Sequence, residues 1–106
     1  MSDPRQPNLD VIERPQEKTK TKKPPMYHVI MLNDDYTTME FVAFVLMRVF
    51  HKEPHEAEKI TLEIHIEGKG LCGTYSHEVA EMKVGEVLGL ARREEFPLQC
   101  TVEQAE

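Results

Sequence analysis

Asn33, Asp34 and Asp35 stand in a row directly after the apolar run 29–32, with Thr37 and Glu40 close behind and His65 further along the chain. Three chemistries can be built from such residues. Carboxylates with a histidine can serve as general acid and base, with Asp34, Asp35, Glu40 and His65 as the members. Clustered oxygen ligands can hold a calcium ion. A row of acceptors, two of them anionic, can receive a cationic group. A fourth reading needs no chemistry at all, because Asn and Asp are frequent in turns, where their side chains bond their own backbone.

The rest of the chain narrows the choice. There is no GxSxG, no phosphate-binding loop and no activated nucleophile to accompany the carboxylates. A calcium loop spreads its ligands along a longer segment that ends in a bidentate Glu, whereas NDDYTTMEF turns helical too soon. Zinc needs a tight set of four ligands. His51 and His55 are four apart with no cysteine nearby, and Cys72 and Cys100 lie in the short apolar contexts GLCGTY and LQCTV. There a reduced cysteine behaves as a small hydrophobe. No catalytic residue, metal or cofactor is expected.

A chain of 106 residues is a single domain. The net charge of −6 is unevenly placed. Residues 1–25 hold six basic and four acidic side chains, a net of +2, which leaves −8 for the remainder. An acidic folded part argues against nucleic-acid binding, which rests on neutralising phosphates. The KTKTKK run over 18–23 reads as a solvated basic linker. No apolar stretch is long enough to span a membrane, and the N-terminus lacks the apolar core of a secretory signal, so a cytoplasmic location is expected.

Five of the seven prolines fall within residues 1–25, which carry few apolar residues and no aromatics. This segment is expected to be a disordered extension, with the folded core at 26–106. Residues 27–32 (YHVIML) read as a strand and 33–36 as a loop. Thr37-x-x-Glu40 matches a capping box that opens a helix running to about Phe50. Only Glu40 and Arg48 are charged between Met39 and Phe50, so this helix is expected to be buried on most sides. Pro54, Glu56, Glu58 and Gly68 are start and stop signals for a second helix. Its end, ITLEIHIE, also alternates as a strand does; the stripe Ala57, Ile60 and Ile64 favours the helix. Residues 70–75 read as a strand, and Ser76 caps a third helix with Ala80, Val84, Val87, Leu88 and Ala91 on one face. Gly85 and Gly89 stand four apart, either for close packing or as merely tolerated exposed positions. Pro97 stops this helix, and 98–102 forms the last strand. The expected fold is α+β, one small domain in the order β–α–α–β–α–β, with a three-stranded antiparallel sheet packed against three helices.

Three blocks, PPMYHVIMLNDDYTTMEFV, GLCGTYSHEVAEMKV and ARREEFPLQCTVE, resemble the ClpS family of adaptor proteins over residues 24–104. That family binds proteins with a destabilising first residue and hands them to an AAA+ unfoldase–protease, the bacterial N-end rule pathway. The resemblance implies an adaptor and not an enzyme. It implies that Asn33, Asp34, Asp35 and His65 hold the free α-amino group of the substrate. The chemistry agrees: an α-ammonium has three N–H donors and a positive charge, and wants converging acceptors, at least one anionic. The implied pocket for the first side chain comprises Leu32, Thr37, Met39, Val42, Thr61, Ile64 and Leu98. Thr61, Ile64 and His65 share a face only if 60–67 is helical, which supports the helix there.

Two residues depart from the family pattern. Thr38 stands where Pro is usual, a change that a helix start tolerates. Thr61 stands where Met is usual, so the pocket is expected to be wider or differently shaped, with first-residue preference shifted or narrowed relative to the usual Phe, Tyr, Trp and Leu. The resemblance also implies that Tyr36, Glu78 and Lys83 contact the N-terminal domain of a ClpA-type unfoldase. It further implies that residues 1–25 are engaged during delivery, and the adaptor is expected to be a monomer. The alternatives are a peptide-binding regulatory module of the same fold without delivery, and a metal-dependent hydrolase using Asp34, Asp35 and His65.

Overall fold

The computed structural model describes residues 24–106, so the expected extension lies outside the described residues except for Pro24 and Pro25. The elements are β1 (Met26–Leu32), α1 (Met39–Arg48), α2 (Pro54–Glu67), β2 (Lys69–Ser76), α3 (His77–Arg93) and β3 (Gln99–Gln104). β1 is the central strand, antiparallel to β2 on one side and to β3 on the other. The α+β class and the β–α–α–β–α–β order are those expected from the pattern.

Alternation along β1 sends Tyr27, Val29 and Met31 to the helix-covered face and His28, Ile30 and Leu32 to the other. Val29 and Met31 are fully buried in one core with Cys72 and Cys100 from the flanking strands. The pairing of β1 with β2 slips between Val29 and Ile30, where Cys72 is the extra residue. Burial pushes the Cys100 thiol up to about 12. Burial and then the neighbouring Cys100 raise Cys72 as well. Both remain small apolar fillers.

Each helix contributes one stripe to this core. From α1 come Phe41, Val42, Val45 and Leu46. From α2 come Ala57, Ile60, Thr61 and Ile64. From α3 come Ala80, Val87 and Ala91, with Val84 partly buried at the edge. Leu88, expected on that face, is only half-buried. Segment 60–67 is helical, since the helix buries this stripe and Gly68 ends it in the left-handed conformation, φ 92°. α1 stops at Arg48 and is less enclosed than its composition suggests: Met39, Phe44 and Met47 are exposed. One layer of helices on one sheet face leaves every outer helix surface in water, and a small domain has no second layer to cover it.

The start of α1 also differs from expectation. The cap is Thr38, whose hydroxyl accepts from the Phe41 N–H at 3.1 Å. Thr37 is held back in the loop by Asp34, so the helix begins one residue later and Glu40 sits in its first turn, where an acid faces the helix dipole favourably. Ser76 caps α3 as expected, accepting from the Val79 N–H at 3.4 Å. α3 closes with the Phe96 N–H on Ala91 O (2.9 Å) and the Glu95 N–H on Arg92 O (3.1 Å). Glu95 occupies the left-handed position usually given to glycine, φ 61°. A Cβ on Gly85 or Gly89 would meet nothing within 4 Å, so these glycines serve no close packing.

Candidate functional site

The loop between β1 and α1 is organised by one side chain. Asp34 Oδ1 accepts from the backbone N–H of Tyr36 (2.8 Å) and of Thr37 (2.7 Å), while Oδ2 accepts from the Thr37 hydroxyl (2.7 Å). Partial burial raises the Asp34 pKa, but the bonds from the Thr37 hydroxyl and from the Thr37 and Tyr36 amides outweigh it and hold the carboxyl below its ordinary value. The turn reading of NDDY is therefore correct for Asp34. Its neighbours Asn33 and Asp35 are exposed.

The same loop is tied to α2. The Asn33 N–H donates to Gly68 O at 2.9 Å, and Leu32 pairs with Lys69 in the sheet. His65, exposed, lies three residues before Gly68 on the last turn of α2. Gly68 makes the junction possible. Its left-handed backbone lets its N–H close α2 on Ile64 O (2.9 Å) while its carbonyl turns to Asn33. Gly70, two residues on, has room for no side chain, since a Cβ there would stand 2.6 Å from Ile64 Cγ1.

Of the seven apolar-pocket positions, Val42, Thr61, Ile64 and Leu98 are buried, Leu32 and Thr37 are half-buried, and Met39 is exposed. Val42, Ile64 and Leu98 belong to the main core. Thr61 donates its hydroxyl to Ala57 O at 2.7 Å, one turn back along α2. Its polar atom is thereby satisfied by the helix itself, and only its methyl remains for apolar packing.

The three positions assigned to a partner do not form one patch. Tyr36 is 77% exposed beyond the Leu32 end of β1. Glu78, also exposed, begins α3 beside Ser76, which pairs with Met26 at the other end of that strand. Seven strand residues separate them by roughly 20 Å. Lys83 is not the free surface lysine its neighbours suggest. Its Nζ donates to Val49 O at 2.8 Å, at the C-terminal end of α1, and stands 5.7 Å from the centre of the Tyr75 ring. A cation at a helix C-terminus is favourable, but a contact across 34 positions of sequence leaves no local signal. The separate cap at Thr38 was equally hidden, because adjacent threonines offer two cap positions with the same chemistry.

Among the described residues no three His, Cys, Asp or Glu side chains are grouped to hold a metal ion, and no helix is long and apolar enough to cross a membrane. The model of one protein family, the ATP-dependent Clp protease adaptor protein ClpS, matches residues 22–101. The chain belongs to the ClpS family. As a ClpS protein it is an adaptor of a Clp protease and not an enzyme. The Clp protease adapter ClpS of Hyphomonas neptunium is 56% identical over 87 residues, covering 82% of this chain and 74% of that protein. The ClpS adapter of Vibrio cholerae is 48% identical over 99 residues, 93% of this chain and 92% of its own length. The structure of Agrobacterium tumefaciens ClpS2 bound to L-phenylalaninamide matches with a TM-score of 0.76 at 34% identity, over 78% of this chain and all of that one.

Proposed function

We propose that this ClpS protein captures proteins by a free α-amino group and an apolar first side chain, and delivers them to the N-terminal domain of a ClpA-type unfoldase in the cytoplasm. The observation that carries the reading is the bond from the Asn33 N–H to Gly68 O, which tethers the acidic loop to the end of the helix that bears His65. Asn33, Asp35 and His65 offer exposed acceptors around that tether. Asp34 contributes its charge and keeps the loop folded, since its oxygens already accept three bonds. An acylated N-terminus lacks both the charge and the donors that this arrangement answers. Binding of L-phenylalaninamide by the Agrobacterium tumefaciens ClpS2 supports the same chemistry here.

The first side chain would lie against Val42, Thr61, Ile64 and Leu98, with Leu32, Thr37 and Met39 at the rim. Thr61 turns only a methyl toward that space, so the pocket stays apolar but gains volume over one closed by Met. First-residue preference is therefore shifted within the Phe, Tyr, Trp and Leu class. Glu78 and Lys83 would meet the unfoldase, Tyr36 would form a separate contact beside the substrate, and residues 26–106 would be the monomeric adaptor core. Fluorescence anisotropy with peptides that begin Leu, Phe, Tyr, Trp, Ile or Met, and are otherwise identical, tests the specificity. An order of preference that Thr61→Met leaves unchanged refutes the role given to Thr61. Deletion of residues 1–22 is expected to leave peptide affinity intact and abolish degradation by the unfoldase–protease; continued delivery by the truncated adaptor refutes the role given to the extension.

A further inference from the structure

Away from the amine site, residues of α1 and α3 line a trough. One hollow of about 550 Å³ is lined by Arg48, His51, Lys83, Gly85, Gly89 and Arg93, among others. A second, of about 420 Å³, continues it over Phe41, Phe44 and Leu90 and shares Arg48 and Arg93. The trough has an apolar floor, and its wall is open at both glycines, where a Cβ would meet nothing within 4 Å. Three cations border it against Glu86 and Glu94. In a core that otherwise carries a strong negative charge, this is a local cationic, apolar surface.

We infer that the trough is the docking site of the chain's own segment 9–13, Leu-Asp-Val-Ile-Glu. Leu9, Val11 and Ile12 are the only branched apolar residues before Pro24, and Asp10 and Glu13 accompany them. That composition complements an apolar floor edged by Arg48 and Arg93. The order of charges along the connection fits as well. Met26 pairs with Ser76, so the segment preceding it enters at the start of α3. There the exposed Glu78 and Glu81 face solvent, and Lys18, Lys20, Lys22 and Lys23 are the nearest charged residues of the preceding segment. The reach is sufficient: eleven residues from Glu13 to Pro24 span up to ~36 Å, while α3 rises only ~20 Å from Ser76 to Gly89. The docked segment covers the part of α3 that carries Lys83, so it and a partner bound there exclude each other.

The test uses the full chain. Both native thiols are buried, so a spin label on Asn8→Cys attaches selectively. Paramagnetic broadening is then read on the amides of Arg48, Gly85, Gly89 and Arg93. The expected result is strong broadening of these amides, lost when Leu9, Val11 and Ile12 are all changed to Ser. It is also lost in Gly89→Leu, which fills the trough at a position with space for the side chain. Broadening that is absent, spread evenly over the surface, or unaffected by either change overturns the inference. Broadening that appears only between a labelled chain and a separate isotope-labelled chain also overturns it, because the occupant is then a second copy. Peptide binding at the amine site plays no part in this readout, so the two proposals fail separately.

Discussion

Loop 33–38 and the last turns of α2 meet at Gly68, yet they are held in shape by different forces. The loop is a polar structure with one organiser, Asp34, whose carboxylate gathers three donors within three residues. The α2 wall is an apolar structure, in which Ile64 and Thr61 are fixed by packing against the core and by a regular helical backbone. A polar organiser concentrates its effect in a single side chain. A packed wall distributes its effect over many weak contacts, which adjust to volume but not to intrusion. The two walls should therefore fail in different ways.

The largest effect is expected at the organiser. Asp34→Ala removes all three loop bonds, each of the charge-assisted kind that contributes about 1.5–3 kcal/mol net of solvent competition when well shielded. It should weaken binding of a free-amine peptide by roughly tenfold to a hundredfold, each tenfold being about 1.4 kcal/mol. Anisotropy titration measures this, with Asp34→Asn as the milder comparison. The same side chain has a pH signature. Its folded pKa lies below the ordinary value of 3.8, so its contribution is complete above that value and is lost as pH falls through the lower folded one. Amide shifts of Tyr36 and Thr37 should accordingly be flat above about pH 5 and move together only in stronger acid.

On the packed wall the largest effect comes from intrusion. Gly70→Val drives a side chain into Ile64, whose Cγ1 would stand 2.6 Å from the added Cβ. Overpacking of this kind costs about 1–3 kcal/mol, which urea unfolding will show as a lower midpoint. Thr61→Val should be milder. It deletes the hydroxyl and its Ala57 partner bond at nearly constant volume, so affinity for a Phe-led peptide should change by less than about 1 kcal/mol. A large loss there would mean that the hydroxyl, and not the methyl, faces the ligand.

The legible parts of the molecule were those written in local pattern. Ser76, Pro54 and Gly68 mark helix ends by their own backbone preferences, and Ala57, Ile60 and Ile64 resolve the helix at 60–67 by burying one stripe. The misplaced cap at Thr37 shows the limit of such signals: Asp34 and the helix compete for adjacent threonines, and only the folded loop decides between them. Lys83 shows another limit, since its partner is a carbonyl at the end of a different helix. The exposure of Phe44 and Met47 was hidden for a third reason, because composition states that a helix is apolar but not how many layers surround it.

The smallest predicted effect is a control outside both walls. Glu95 holds a left-handed conformation that glycine adopts without a Cβ penalty. Glu95→Gly should raise stability by about 0.5 kcal/mol, the relieved strain being partly offset by the greater freedom of glycine in the unfolded chain. Thermal unfolding measures it, and peptide affinity should not change.

Loop 33–38 and α2 are proposed to read a free amine together. The most direct measurement is calorimetric titration of the full chain with L-phenylalaninamide and with its N-acetyl derivative, repeated on His65→Ala. Binding of the free amine, no detectable binding of the acetylated form and a marked loss in His65→Ala are expected. Equal affinity for the two ligands, or a free-amine affinity indifferent to His65, would contradict the proposal.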